Sequence, residues 1–82
     1  MIDKEVPITN FSEKANAYRN VHRPNVDKLF AIKASYEEKL LALLEDEIPD
    51  NEKIKACEGS IRYFDKKARQ IWREVVTKAN KL

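Results

Sequence analysis

Leu44-Glu45-Asp46-Glu47-Ile48-Pro49-Asp50-Asn51-Glu52-Lys53-Ile54 is the stretch on which the fold turns. It closes one run of helix-spaced apolar residues and opens another. Pro49 pushes Ile48 away from helical dihedrals, while Asp50 and Asn51 are both candidate N-caps, so a helix restarts near Asn51 or Glu52. Two long helices joined by so short a turn must lie antiparallel.

Working backwards, Val26, Leu29, Phe30, Leu40, Leu41, Leu44 and Ile48 mark the apolar side of a helix over about residues 24–47. Pro24 suits its first position, where a missing N–H costs nothing. Working forwards, Ile54, Cys57, Ile61, Phe64, Ala68, Ile71 and Val75 alternate in steps of three and four, and Leu82 rejoins that register a heptad later. They predict a helix over about 51–80. At ~1.5 Å per residue the two would be about 36 and 45 Å long. Upstream, Asn10 followed by Glu13 has the spacing of a capping box and predicts a short helix over about 10–20 behind an arm of residues 1–9. A single glycine, Gly59, among 82 residues leaves little material for hairpins or tight βα turns. The expectation is one all-α domain, a short N-terminal helix followed by a long antiparallel helical hairpin.

Hydrophobic residues make up 43% and charged residues 37%, too apolar for a disordered chain and too charged for a membrane protein. No run approaches the roughly 18 apolar residues that span a bilayer. The start, Met1-Ile2-Asp3-Lys4-Glu5, lacks signal-peptide character, so a cytoplasmic protein is expected. Cys57 and His22 are each the only residue of their kind, which excludes an internal disulfide and a structural zinc site. No glycine-rich phosphate loop, nucleophile–base pair or metal-ligand cluster is visible, so neither catalysis nor a cofactor is expected.

Two helices cannot cover a wide apolar face. Trp72 and Val76 beside Ile71 and Val75 widen the arc of the last helix, and a second copy of the chain is the simplest cover. A homo-oligomeric helical bundle is therefore expected, with a monomeric three-helix domain as the alternative.

Some residues break the pattern. Lys33 falls within about 20° of the centre of its helix's apolar stripe. Its stem can snorkel to water, it can pair with Glu37 one turn on, or it can meet an anion held between chains. Lys55, Arg62, Lys66, Arg69 and Arg73 form a basic stripe on the last helix, interrupted by Glu58, Asp65 and Glu74. That stripe is either a solvated face or a set of phosphate contacts. Tyr18-Arg19 sets a ring and a guanidinium at the end of the first helix, where the ring can cap the core or stack on a base.

The constellation of Tyr18-Arg19, Val26, Ile32-Lys33 and Ser35, then a leucine-rich helix and a second long helix, resembles the small cyclic-nucleotide sponges of tailed phages. This is the anti-CBASS family, which sequesters the signalling nucleotides of bacterial antiphage immunity. The likeness covers about residues 18–75. It implies a homohexamer that encloses cyclic dinucleotides such as cGAMP between chains, in the cytoplasm of the host cell, and releases them intact. It further implies that Tyr18 stacks on a purine, Lys33 neutralises a phosphodiester and Ser35 hydrogen-bonds the ligand, with Arg19 and Arg69 completing the set. Some members also take cyclic trinucleotides near a threefold axis. The last helix departs from the family: Ile61-Arg62-Tyr63-Phe64-Asp65 stands where a glutamine, a glycine and a Phe-Met pair are expected, and only Phe64 and the later Arg69 are retained.

Two other functions compete. One is nucleic-acid binding through the basic stripe, against which stands a net charge of only +2. The other is a protein-binding inhibitor that presents Trp72 and Val76 to a partner.

Overall fold

The computed structural model describes residues 6–82, which form two helices. Helix α1 spans Glu13–Glu45 and helix α2 spans Asn51–Asn80. The turn between them forms as its sequence demands. The Asp50 carboxylate accepts the backbone N–H groups of Glu52 at 3.1 Å and Lys53 at 3.2 Å, satisfying donors that the first turn of a helix leaves free. Glu52 in the first turn and Lys78 in the last oppose the helix dipole with the favourable sign.

The expected break at Pro24 is not there. Residues assigned to a short helix over 10–20 and a second over 24–47 belong to one continuous helix, with Pro24 inside it. Pro24 cannot donate to the carbonyl of Asn20, one turn earlier. Both residues are exposed, so water can take the place of the missing donor, and the intervening Val21-His22-Arg23 contains nothing that stops a helix. The penalty is therefore borne rather than avoided. Pro24→Ala restores the bond without removing buried contacts, and it should raise stability by about 1–3 kcal/mol. Thermal melts at one fixed protein concentration check this, since 1 kcal/mol moves Tm by roughly 4–8 °C in a domain of this size. A lower Tm in the variant would mean that packing requires the proline.

The start of α1 also differs from expectation. Ser12, not Asn10, is its N-cap and accepts the Ala15 N–H at 3.2 Å. Asn10 is used differently, to fasten the segment ahead of the helix. Its amide donates to the Ala79 carbonyl at 3.0 Å, and Asn80 donates to Pro7 O and accepts from Thr9 N, each at 3.0 Å. Residues 6–12 are thereby laid against the end of α2. Residues 1–5 of the expected arm lie outside the described residues.

The molecule measures 54 × 26 × 13 Å, two helices wide and one helix deep. Burial follows from that shape. Among the described residues the buried apolar side chains are Ala15, Val26, Ala68, Val75, Val76 and Ala79, none of them in the turn half of the hairpin, and residues 6–12 add a further layer at its open end. Val76, placed by the sequence on an exposed arc, is 1% exposed and is the largest fully buried side chain. Val76 is therefore not available to a docking patch, while its neighbour Trp72 is half-buried. Among the described residues nothing covers the turn half in this way, and Leu41, Leu44 and Ile48 remain 62, 57 and 88% exposed. Leu82, expected to extend the seam, lies beyond α2 and is exposed. Among the described residues no helix is long and apolar enough to cross a membrane.

Candidate functional site

At the middle of the hairpin, Lys33 of α1 and Arg69 of α2 meet on one carboxylate. Lys33 Nζ lies 2.9 Å from Asp65 Oδ1, and Arg69 Nε donates to Asp65 Oδ2 at 3.1 Å. Glu37 stands farther off, 4.0 Å from Lys33. The partner of Lys33 is thus neither water alone nor chiefly its i+4 neighbour, but a residue across the hairpin. The Lys33 ammonium, joined by Arg69, holds Asp65 below its ordinary pKa of 3.8 against the opposing effect of burial, so Asp65 is an anion at neutral pH.

Antiparallel register explains the meeting. Lys33 and Asp65 stand equally far from Pro49 in sequence, and reflection about that turn brings them level. In nearly the same register Tyr36 stacks on Phe64, with ring centroids 5.9 Å apart, and Arg23 lies 5.7 Å from the centre of the Trp72 ring. The Lys33 ammonium also lies 5.9 Å from the Phe30 ring centroid, within the range of a cation–π attraction. An open groove of about 480 Å³ begins at Tyr36 and continues towards the turn between Lys39, Leu43, Lys53 and Cys57. Its volume falls within the range of small-ligand sites. The Lys33–Asp65–Arg69 cluster and the Tyr36–Phe64 stack therefore lie at one level of the hairpin, with the groove running from Tyr36 towards the turn.

The other residues singled out by the sequence lie elsewhere. Tyr18 is half-buried, with its ring 4.5 Å from that of His22. It precedes Lys33 by fifteen positions on one continuous helix, which sets the two about 22 Å apart along the axis. One chain cannot bring both to the same half of a small ligand. Ser35, two residues past Lys33, is turned about 200° around the helix from it, is exposed, and donates back to the Ala31 carbonyl at 3.2 Å.

Arg19 is 6% exposed and fully engaged. Its Nη1 donates to the Asn10 carbonyl at 2.8 Å, its Nη2 donates to Asn16 Oδ1, and the guanidinium lies 5.9 Å from the centre of the Phe11 ring. These contacts tie residues 10 and 11 to α1. Of the basic stripe, Arg62 pairs with Glu58 at 3.7 Å and Arg69 with Asp65, which dilutes its field. Among the described residues no three His, Cys, Asp or Glu side chains converge as a metal-binding group.

Sequence reasoning missed Asp65 as the centre of the cluster and the Tyr36–Phe64 pair as its aromatic flank. The signal was available in the turn, because folding the sequence back at Pro49 would have matched Lys33 with Asp65. No family model, curated protein or solved structure matches this chain.

Proposed function

We propose that this chain binds and sequesters cyclic dinucleotides without cleaving them, in sites completed by further copies of itself, and so acts as a sponge of the anti-CBASS type that antagonises host antiphage immunity. The observation that supports the reading is the meeting of Lys33 and Arg69, one cation from each helix, on the Asp65 carboxylate, at the level of the stacked rings of Tyr36 and Phe64. A cyclic dinucleotide presents two phosphodiesters and two base faces. An ammonium, a guanidinium fork and aromatic surfaces are the groups that recognise them.

Two features support self-association. The hairpin is one helix deep, with leucines open to solvent along its turn half, and a second copy would cover them by the same ridge-and-groove packing that joins the two helices. Tyr18 and Lys33, too far apart within one chain, can serve one ligand when they come from neighbouring chains. The homohexamer of the family is the assembly proposed, with its ligands enclosed between chains. A nucleic-acid role receives less support, since ion pairs with acidic neighbours thread the basic stripe.

Calorimetric titration of the purified protein with cyclic dinucleotides, with mass from light scattering on the same sample and recovery of the ligand afterwards, tests the reading. Tight binding to an oligomer and intact ligand are expected. No heat with any cyclic nucleotide would overturn it, and steeply salt-dependent binding to duplex DNA would replace it with the nucleic-acid role.

A further inference from the structure

We propose that Asp65 is a built-in competitor for the nucleotide, a carboxylate that occupies the phosphodiester's place between Lys33 and Arg69 until ligand displaces it. This rests on the proposed nucleotide site and adds a brake to it.

The geometry is that of anion recognition. Each oxygen of Asp65 accepts from a different cation on a different helix, Oδ1 from Lys33 Nζ and Oδ2 from Arg69 Nε. A phosphodiester likewise offers two unesterified oxygens that share one negative charge, so carboxylate and phosphate call on the same donors. The cluster is accessible, because the Lys33, Asp65 and Arg69 side chains keep 25, 30 and 48% of their surface exposed. The carboxylate can therefore swing towards water when a phosphate arrives. With Asp65 and Glu37 both near Lys33, the two cations are neutralised in the free chain. That limits attraction for stray mononucleotides and phosphate, and it favours a ligand whose other half binds elsewhere in the same site.

Displacement costs whatever the internal pair contributes. A partly exposed pair of this kind shifts an equilibrium by a factor of about 5, and lifting the residual repulsion between carboxylate and phosphate adds to it. Asp65→Asn keeps the size of the side chain and removes its charge, so it should tighten cyclic dinucleotide binding about 5- to 20-fold. Glu58→Gln makes the same change of net charge beside Arg62 and should alter affinity less than about 2-fold, because separated exposed charges are screened.

The experiment titrates the parent, Asp65→Asn and Glu58→Gln with a cyclic dinucleotide at one ionic strength. A second titration with pyrophosphate follows the Arg69 Nε–H resonance by NMR. Tightening confined to Asp65→Asn in both titrations supports the brake. Unchanged or weaker binding by Asp65→Asn would overturn it, since the carboxylate would then position the cations rather than block them. Equal tightening in Glu58→Gln would also overturn it, as an effect of net charge. If no protein takes the cyclic dinucleotide, the sponge reading fails on that result alone, and the pyrophosphate titration still decides whether Asp65 competes for the Lys33–Arg69 pair.

Discussion

Lys33→Ala should lower the proposed cyclic dinucleotide affinity by about 100-fold while the proposed oligomer keeps its mass. Two effects add. The phosphodiester loses a charge-assisted hydrogen bond, and Asp65, left with Arg69 alone, faces the ligand with more of its charge uncompensated. The fold should barely notice, because the lost ion pair is partly exposed and such pairs contribute about 0–1 kcal/mol. Titration and light scattering on the variant separate the outcomes. Parental affinity would show that the pocket lies elsewhere on the hairpin, and loss of the oligomer would give Lys33 an assembly role instead.

The same variant tests how the site is shared. Tyr18→Ala and Lys33→Ala chains should each bind weakly alone, yet recover affinity when refolded together. In the proposed assembly, the separation of about 22 Å along α1 calls for Tyr18 of one chain to meet Lys33 of another. A mixed interface then holds one complete Tyr–Lys pair, whereas neither pure protein holds any. If both residues acted from within one chain, mixing would restore nothing.

Much of this architecture can be read from the turn around Pro49. Apolar spacing on either side of it, with Asp50 as the cap, specifies the antiparallel pair and places the start of α2. The extent of α1 is harder to read, since a proline can start a helix or be carried inside one at a cost. The choice depends on whether the deprived carbonyl reaches water, a fact about surroundings rather than composition. The candidate site was half legible for a related reason. Lys33 stands out because a charge interrupts an apolar stripe, but a stripe says nothing about what faces it. Its partner Asp65 becomes visible only when two helices are set in register. Arg19 shows the opposite failure, for beside Tyr18 it looks like a ligand contact, and only the path of residues 6–12 turns its guanidinium inward.

Arg19→Ala should destabilise the fold by about 2–3 kcal/mol, an effect of structure rather than of binding. The guanidinium is 6% exposed and is divided between the Asn10 carbonyl and the Asn16 side chain. Its removal leaves the Asn10 carbonyl without its charged donor and opens space beside Ala15 and Phe11. Asn10 also donates to Ala79, so loosening it frees the segment laid over the end of the hairpin that holds Val75, Val76 and Ala79. Arg19→Lys should recover little, because one ammonium cannot reproduce a planar fork aimed at two acceptors. Thermal melts at fixed concentration should fall by roughly 8 °C or more at 4–8 °C per kcal/mol. Hydrogen exchange should show the loss first at the Thr9 N–H, which Asn80 accepts. Nucleotide affinity, measured well below the lowered Tm, should stay within a few-fold of the parent. A variant that melts like the parent but binds 100-fold more weakly would reverse the assignment and return Arg19 to the ligand.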